Sequence, residues 1–509
     1  MLKTLLVHEI QNLLKSKRIY MTVLMFLILF ASVFIVRVID YQKQINQYIA
    51  DVKISEEALQ NAENYSHINP RAIKQPLVFS IYNQGFKFTN VISIQYYEPI
   101  LASTSLNEEN NPTYIENNQL DITFLITFFL SLFILLISYD SINGEKHVGT
   151  LRLLLTYPLK RQSFILKKIL GVFIFIAITF SIPYILSLIS LVITYANLLS
   201  MNFFLSAFFY WFLVLLFIFF FSLLGIFISC CTSNPNRSLV YSLLVWILLS
   251  IVLPISWDYI LAPMLYNERL HELEQIYRDK NSQNRRIMFD NLPDDVDPYQ
   301  MSYMLWNGDF YHCTIWSYKE THEQRNRYQK YLYDNYYPAS RDTEQAIDTF
   351  YRKQINIDNV RNWIFSYNPI VLFGNLSTKI TGNGREDYLK LLQNCRDIRD
   401  ELVNLGISEG WLLDTRFHRA FSEEYDLGYS IEYYSMFKDW DPLWAYILEL
   451  RNSATPYEME LPFIRKYEQP RYTFGEIFAR IWQYLSMFVV SILVQWGMTY
   501  IKFMRYDVR

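Results

Sequence analysis

The sequence predicts a mainly α-helical, polytopic membrane protein with six transmembrane helices. Six mostly apolar blocks, each of about 20 or more residues, are separated by polar stretches, and each is long enough to cross a hydrocarbon core of roughly 30 Å as a helix. Hydrophobic residues make up 52% of the chain. The net charge is only −3, so no basic face for a nucleic-acid partner is predicted.

The apolar blocks set the predicted boundaries of the chain. No small-residue cleavage site follows the first block, which we therefore interpret as a retained anchor rather than a removable signal peptide. A leading segment, 1–18, precedes it, and two long polar segments interrupt the series after spans one and five. The predicted boundaries are 19–39 for span one, 40–119 for the first polar segment, 120–139 for span two, 140–168 for a loop, 169–261 for spans three to five, 262–476 for the second polar segment and 477–509 for span six with its tail.

The distribution of Lys and Arg predicts the orientation. With six spans, both termini lie on the same side as the loop 140–168, and that side holds fourteen Lys and Arg against four Asp and Glu. The segment 40–119 on the other side holds five Lys and Arg against nine Asp and Glu. Because short cytoplasmic loops carry the excess of positive charge, we predict cytoplasmic N- and C-termini and a location in the cell inner or cytoplasmic membrane.

The two long segments are predicted to be extracytoplasmic and to differ in structure. Segment 40–119 contains alternating stretches such as KFTNVISIQYY at 87–97, which favour strands, so mixed structure is expected there. Segment 262–476 is expected to be a mostly helical domain, because apolar residues recur at helical spacing in 342–364 and 387–405. Gly406, just past the second stretch, is predicted to be its C-cap. Packing within the domain would explain these stripes, and a hydrophobic substrate groove is the alternative.

Two motifs that would imply catalysis or nucleotide binding fail on their spacing. HEIQN at His8 and HELEQ at His271 begin like a zinc-binding helix but lack the second His. The stretch GEKHVGT at 144–150 has the glycine spacing of a phosphate loop, but that motif needs Lys and then Ser or Thr directly after the second Gly. We therefore predict no metal, nucleotide or other cofactor bound by this chain.

Cysteines and prolines offer weaker signals. Cys313 and Cys395 both lie in the predicted extracytoplasmic domain, where oxidation to a disulfide is possible. Pro183 and Pro254 lie within predicted spans, and each removes a backbone hydrogen bond that neighbouring groups must replace. The prolines are candidate hinges, with ordinary packing as the alternative.

The cytoplasmic loop favours a short amphipathic helix. Thr150 can cap its start, and Leu151, Leu154 and Leu155 cover one face. Pro158 ends it, because the residue before a proline is pushed away from helical angles. A leucine-faced helix of this kind binds either the lipid interface or a groove on a partner protein, and the residues alone leave both open.

The same loop resembles the signature of the ABC exporter permeases of the second, six-span type. In that family an acidic residue after span two is followed by Gly-Thr-Leu, a leucine-rich turn, a Pro with a nearby Arg, and then Lys and Gly at the start of span three. Segment 1–18 resembles the family's interfacial helix, and the long polar segments resemble a bacterial subgroup with large extracytoplasmic insertions. The matching residues are Glu145, Gly149, Thr150, Leu151, Leu153, Leu154, Pro158, Arg161, Lys168 and Gly171.

The resemblance implies a non-catalytic permease subunit of an exporter. ATP and Mg would then be bound by separate ABC ATPase subunits, and a second permease chain, identical or not, would complete the path through the lipid bilayer. The ATPase-coupling residues implied are Glu145, Gly149, Thr150, Leu151, Arg152, Leu154, Leu155, Pro158 and Arg161. In this reading the glycine permits a sharp turn, the leucines fill a groove on the ATPase, and the charged residues fix the orientation.

Two other functions stay open on the sequence. An ATP-coupled membrane assembly or mechanotransmission module, acting on an external partner, would account for the size of the second long segment. A polytopic membrane enzyme would need acidic or His residues clustered at the outer membrane edge, and candidates such as Asp40 and Asp258 are isolated. No motif identifies a substrate.

Overall fold

The structure is a computed structural model that describes the apolar helices and parts of the two long segments. The residues described are 9, 11, 13–60, 70–85, 91–94, 120–151, 161–199, 201–256, isolated positions between 275 and 286, 327, 330–364, 368–408 and 474–505.

Six helices in this part of the chain are long and apolar enough to cross a membrane, which confirms the predicted mainly α, six-span fold. The protein is therefore a multi-pass membrane protein. Its helices are α1 (Lys17–Gln60), α2 (Ile122–Phe124, a wider π-helical turn Leu125–Leu130, and Ser131–Ser138), α3 (Asn143–Val148), α4 (Arg161–Tyr195), α5 (Met201–Cys231), α6 (Pro235–Ile247, then a π-helical turn Leu248–Val252 and Leu253–Ser256), α7 (Tyr337–Ile364), α8 (Pro369–Thr381), α9 (Arg385–Ser408) and α10 (Phe474–Met504). Helix α3 forms the end of the second candidate span, which runs from Ile122 to Val148.

Helix α5 lies at the centre of the bundle, in contact with α2, α4, α6, α8 and α10. Its approach to α2 is close because Gly225 faces Ser138, where a Cβ would lie only 1.8 Å from Ser138 Oγ. Buried aromatic side chains fill the space around α5, including Tyr210 and Phe217. With no hydrophobic driving force between helices in lipid, such close packing is what holds a bundle of this kind together.

Helix α1 is longer than the sequence predicts. The predicted span ends at 39, but the helix continues to Gln60. Tyr41 and Ile45 remain buried beyond the predicted end, and Tyr41 donates a hydrogen bond to Pro76 O at 3.2 Å. Near the end of the helix, Leu59 packs against a second apolar cluster, separate from the bundle core. The polar outer face hid this continuation from a search for apolar blocks.

Helix α8 enters the bundle, although the sequence places it in the extracytoplasmic segment 262–476. Its Leu372, Phe373 and Leu376 have no exposed surface and belong to the same core as the spans. The Phe373 ring centroid lies 4.9 Å from that of Phe217, near the middle of α5. At 13 residues, α8 is too short to be recognised as a span, which needs about 20 residues.

A small antiparallel sheet forms in the first long segment. Strand β1 (Arg71–Ile73) pairs with β2 (Val91–Ser93), with Ala72 opposite Ile92. The second strand lies within the stretch 87–97 for which the sequence predicts strand structure, and this prediction is confirmed over its three strand residues. Ala72 and Ile92 are buried in the second apolar cluster.

Helices α7 and α9 pack together, but the apolar stripes predicted for them are buried unequally. Ile347 and Phe350 of α7 are buried, whereas Val360 and Ile364 are 46% and 39% exposed. Gly406, the residue that its position predicts as a C-cap, lies inside α9, which continues to Ser408 because Ile407 still packs against the second cluster. That prediction was wrong.

Buried charges join these two helices. Arg399, 1% exposed, makes a bidentate pair with Glu344 of α7, with Nη1 to Oε1 at 2.6 Å and Nη2 to Oε2 at 3.1 Å. Arg396 pairs with Asp348 at 2.8 Å, and Arg341 with Asp400 at 2.8 Å. We call these residues the α7–α9 charge network, defined by Arg341, Glu344, Asp348, Arg396, Arg399 and Asp400.

Candidate functional site

The loop between spans two and three is built around a sharp turn at Gly149. Helix α3 ends there, and Gly149 has φ +81° and ψ −2°, in the left-handed region. Its N–H donates to Lys146 O at 3.2 Å. A Cβ would meet no atom within 4 Å at this position, so the backbone conformation, and not the space, calls for glycine. Gly149 thus makes the sharp turn through its positive φ, and its role in coupling to an ATPase stays a prediction.

Three charged side chains meet beside this turn. Lys168 Nζ of α4 lies 2.6 Å from Glu145 Oε1 of α3 and 2.8 Å from Glu9 Oε2, close to the N-terminus. Gly171, one turn further along α4, leaves room for the approach, because a Cβ there would lie 2.8 Å from Glu9 Cγ. We call Glu9, Glu145 and Lys168 the turn cluster. The partner of Glu145 is thus within this chain, and not only on a docked protein as the sequence suggests.

Helix α3 is also bonded to the end of α5. Lys146 Nζ donates to Cys230 O at 2.9 Å and to Thr232 O at 3.4 Å. A cation at this position is favourable because the last carbonyl groups of a helix carry partial negative charge. The backbone N–H of Asn143 donates to Ser229 Oγ at 3.1 Å. A displacement of α3 would therefore be transmitted to α4 through the Glu145–Lys168 pair and to α5 through the hydrogen bonds of Lys146.

Spans one and six reach the same end of the bundle. Arg18 Nη2 of α1 pairs with Asp140 Oδ2, just before α3, at 2.7 Å. Arg161 Nη1, at the start of α4, donates to Met504 O at the end of α10 at 3.3 Å. Arg161 was predicted to orient a partner protein, and in this structure it also joins two helices of the same chain.

The residues exposed at the tip of the turn differ from those that the sequence predicts to contact a partner. His147, Val148, Gly149 and Thr150 are exposed, and Val148 has 74% of its surface accessible. Leu151 is 1% exposed and belongs to the bundle core. Its predicted place in a partner's groove is thus corrected, because its side chain already packs within this chain.

Thr150 also contacts the turn. Its hydroxyl donates to Glu145 O at 3.3 Å. The helix whose start Thr150 is predicted to cap lies outside the described residues, so its role as an N-cap stays a prediction. Four predicted coupling residues, Arg152, Leu154, Leu155 and Pro158, lie outside the described residues.

The two candidate hinge prolines sit in different surroundings. Pro183 lies inside α4, which continues unbroken around it. Pro254 follows the π-helical turn Leu248–Val252 and has no N–H for the preceding turn. Asn368 Nδ2, at the start of α8, donates to Leu249 O at 2.9 Å. A side chain from the second long segment thus satisfies backbone beside this proline, as membrane helices with prolines require.

Cys395 is the described half of the possible Cys313–Cys395 disulfide, which stays a prediction. Cys395 is a free thiol with no exposed surface, packed in the second apolar cluster. Burial raises the pKa of this thiol to about 12. Its predicted partner, Cys313, lies outside the described residues.

A buried lysine lies where the first long segment meets α9. Lys74, directly after β1, is 9% exposed. Burial lowers the pKa of its ammonium group to about 8, against the opposing effect of the Asp387 carboxylate. Asp387 also accepts a hydrogen bond from Gly384 N at 3.1 Å and pairs with Arg480 of α10. Among the described residues, no three His, Cys, Asp or Glu side chains are grouped as a metal site would need.

Comparison with known proteins decides the family. The family model described as ABC-2 family transporter protein matches residues 4–508, nearly the whole chain. The chain belongs to this family. It also resembles two curated proteins over short segments, both described as probable ABC transporter permease protein NosY. The one from Pseudomonas aeruginosa is 54% identical over 50 residues, and the one from Stutzerimonas stutzeri is 53% identical over 47 residues.

These two likenesses are local. They cover 10% and 9% of this chain and 18% and 17% of the relatives, so the chain matches less than a fifth of the length of each relative. Both relatives are described as ABC transporter proteins, in agreement with the family model.

The sequence predicts the turn at Gly149 but not most of the side-chain contacts that fix it in place. Lys168 and Gly171 carried part of the family resemblance without a physical role, and the structure gives both a role at Glu9. Lys146 and Asn143 carried no signal, because an exposed loop lysine and a lysine bonded to helix carbonyl groups look the same in a sequence.

Proposed function

We propose that the chain is the membrane-spanning permease subunit of an ATP-binding-cassette exporter, driven by separate ATPase subunits that dock on the loop 145–161. ATP and Mg would be bound by those subunits and not by this chain. The observation that carries the proposal is the turn itself: an exposed tip at His147–Thr150 stands on a short helix bonded to α4 and α5. A push on the tip would move at least two spans.

Further parts of the proposal rest on the sequence and the family. The excess of Lys and Arg on the Gly149 side supports cytoplasmic termini in the cell inner or cytoplasmic membrane. A second permease chain, identical or not, would complete the transport path. The long segments 40–119 and 262–476 support membership of a subgroup with large extracytoplasmic insertions.

One observation favours a second candidate function, transmission of force to an external partner. Helix α1 runs without interruption from Arg18, which is paired with Asp140 beside the turn, to Leu59, which packs against the second cluster. A single helix thus connects the proposed docking end to the part of the chain that would face a partner outside.

The test is co-purification of the chain with its ATPase in detergent. We expect wild type to retain the ATPase, and Leu154→Asp or Leu155→Asp to lose it while the chain still inserts in the membrane. Lys53→Gln, at a site 77% exposed near the other end of α1, is the matched surface control and should retain it. Unchanged ATPase binding in both Asp variants would contradict docking at this loop.

Reconstituted vesicles separate the two candidates. An exporter moves a solute across the vesicle membrane in an ATP-dependent manner, whereas a force-transmitting module hydrolyses ATP without such movement.

A further inference from the structure

The turn cluster joins three parts of the chain that are far apart in sequence. Glu9 lies near the N-terminus, Glu145 in α3 and Lys168 in α4. The Lys168 side chain is 10% exposed, and those of Glu9 and Glu145 are 15% and 23% exposed. One ammonium group is therefore shared by two carboxylates in a largely buried position.

Lys168 supplies the one positive charge that compensates the two carboxylates of the turn cluster. Lys168 Nζ lies 2.9 Å and 2.8 Å from the two oxygens of Glu9, and 2.6 Å from Glu145 Oε1. Without the ammonium group, two carboxylates would face each other with little water, and like charges at this range repel strongly. Removing one partner of a buried ion pair is costly because the other charge stays uncompensated.

Close packing of α4 against Glu9 accompanies the ion pairs. Gly171 is the position where α4 would otherwise collide with Glu9, since an added Cβ would lie 2.8 Å from Glu9 Cγ and 3.3 Å from Glu9 Cβ. The absent side chain at 171 and the ammonium group at 168 act on the same glutamate from adjacent turns of one helix.

We propose that Lys168 is a positioning residue that fastens the N-terminal segment, α3 and α4 into one rigid body, so that a force applied at the Gly149 tip moves spans one and three together. The N-terminal segment continues into α1 after a break at Ser16, where Tyr20 N donates to Ser16 O at 3.0 Å. The proposal deepens the proposed function and rests on it for the source of the force, but the rigid body itself needs no ATPase.

The first experiment measures the rigid body directly. Spin labels are placed at Gln11→Cys and His147→Cys, both exposed, in the full chain with its four native Cys replaced by Ala, and the distance between them is measured by pulsed electron resonance. We expect one narrow distance distribution when the labelled chain keeps Lys168. The same labelled chain with Lys168→Gln should give a broadened or shifted distribution. Lys15→Gln, which removes an exposed cation from the same N-terminal segment, should leave the distribution narrow.

Charge exchange separates an electrostatic role from a merely structural one. In the double variant Glu145→Lys with Lys168→Glu, one ammonium group again meets two carboxylates, because the three side chains converge on one point. We expect this variant to recover the narrow distribution that Lys168→Gln loses. A narrow distribution in Lys168→Gln, or no recovery in the exchange variant, would overturn the proposal. If Lys168→Gln does not fold, Glu9→Gln replaces it, because it frees the N-terminal segment without leaving carboxylates unpaired.

A second measurement tests whether the turn cluster transmits the ATP-driven movement to the spans. In the purified complex, Lys168→Gln should keep the ATPase bound but lose the ATP-driven change in a distance between labelled positions on α1 and α4. If wild type retains no ATPase, the proposed function fails, while the first experiment still decides the rigid body. If Lys168→Gln shows the full ATP-driven change, the positioning role of Lys168 is wrong.

Discussion

The turn cluster and the α7–α9 charge network both use buried charges, but they join different kinds of elements. In the network, Glu344 and Arg399 connect two helices that lie side by side and share an apolar cluster. In the turn cluster, one lysine connects the N-terminal segment, α3 and α4, which are far apart in sequence. The network adds to a packing of two neighbouring helices that apolar contacts already favour, whereas the turn cluster joins three separate segments at one ammonium group.

The difference also shows in the charge balance. Arg399 has two oxygens of Glu344 at 2.6 and 3.1 Å and a third acceptor, Asp400 Oδ1, at 3.0 Å. Lys168 instead serves two separate carboxylates, one of which, Glu145, still has a buried oxygen without a partner among the described residues. Unpaired buried atoms do not distinguish the two groups, because Asp348 Oδ1 and Arg396 Nη2 of the α7–α9 charge network also lack a hydrogen-bond partner among the described residues. The difference is that a single ammonium group faces two separate carboxylates in the turn cluster.

The largest expected effect is on the α7–α9 charge network. Arg399→Met removes the bidentate partner of the buried Glu344 and leaves Arg396 Nε, at 3.4 Å from Glu344 Oε2, as a weaker one. This should lower the free energy of unfolding by about 3 kcal/mol. The double variant Arg399→Met with Glu344→Gln should recover much of this loss. The loss in the single variant and the recovery in the double variant are measured by unfolding the full chain in detergent, with hydrogen exchange of the α9 amides as the readout. Equal losses in the single and double variants would show that packing, and not charge, is what Arg399 supplies.

Lys74 tests a buried cation outside both clusters. Its folded-state pKa is lowered to about 8, so between pH 8 and its ordinary value of 10.5 the unfolded chain binds more protons than the folded one. Stability should therefore rise as the pH rises through this window, by up to about 3 kcal/mol for this group.

The measurement for Lys74 is a difference between variants. The free energy of unfolding of wild type, minus that of Lys74→Met, should increase from pH 8 to pH 10.5. Lys53→Met, which removes an exposed lysine, should show a flat difference over the same range. A flat difference for Lys74→Met would mean that its surroundings do not disfavour the charged form.

A pair of glycines in α3 tests the turn. Gly149→Ala should lower the free energy of unfolding by about 1–2 kcal/mol, because an L residue is strained in the left-handed region. Gly144→Ala, in the same helix with ordinary contacts to Asp140, should raise it by about 0.5–1 kcal/mol through helix propensity. Thermal unfolding of both variants checks the signs. A loss at Gly144 as large as at Gly149 would remove the special role of the turn.

The smallest effects are expected at two helical glycines in the bundle. Gly374→Ala of α8 meets no atom within 4 Å and should stabilise by about 0.5–1 kcal/mol. At Gly171 the same gain is opposed by the collision with Glu9, so little net change in stability is expected. The two differ in the label distance between 11 and 147, which Gly171→Ala should broaden and Gly374→Ala should leave unchanged.

The six spans could be predicted because a membrane-crossing helix needs a length of apolar residues that is rare elsewhere. The same criterion missed α8, whose 13 residues are too few, and ended α1 at 39 because its continuation has a polar outer face. The two errors have different causes: α8 is covered by the helices of the bundle, whereas the continuation of α1 exposes a polar face and so forms no apolar block.

The candidate site was predicted in position but not in its contacts. The left-handed turn at Gly149 follows from a glycine after a short helix, and it could be foreseen. The burial of Leu151 could not, since a leucine facing a partner and one facing its own core have the same local pattern. The meeting of Glu9 with Lys168 depends on how segments 159 residues apart fold together, which local spacing does not contain.

The central claim is that an ATPase contacts the tip at Gly149, and cross-linking from that tip tests it most directly. A photoreactive amino acid replaces Val148, which is 74% exposed, and in a matched chain replaces Ile193, which is 77% exposed near the far end of α4. Both full chains are irradiated in native membranes, and the adducts are identified by mass spectrometry. We predict an adduct with a protein that carries an ABC ATPase domain from position 148 and none from position 193. The absence of an ATPase adduct at 148, or equal adducts at both positions, would contradict the account.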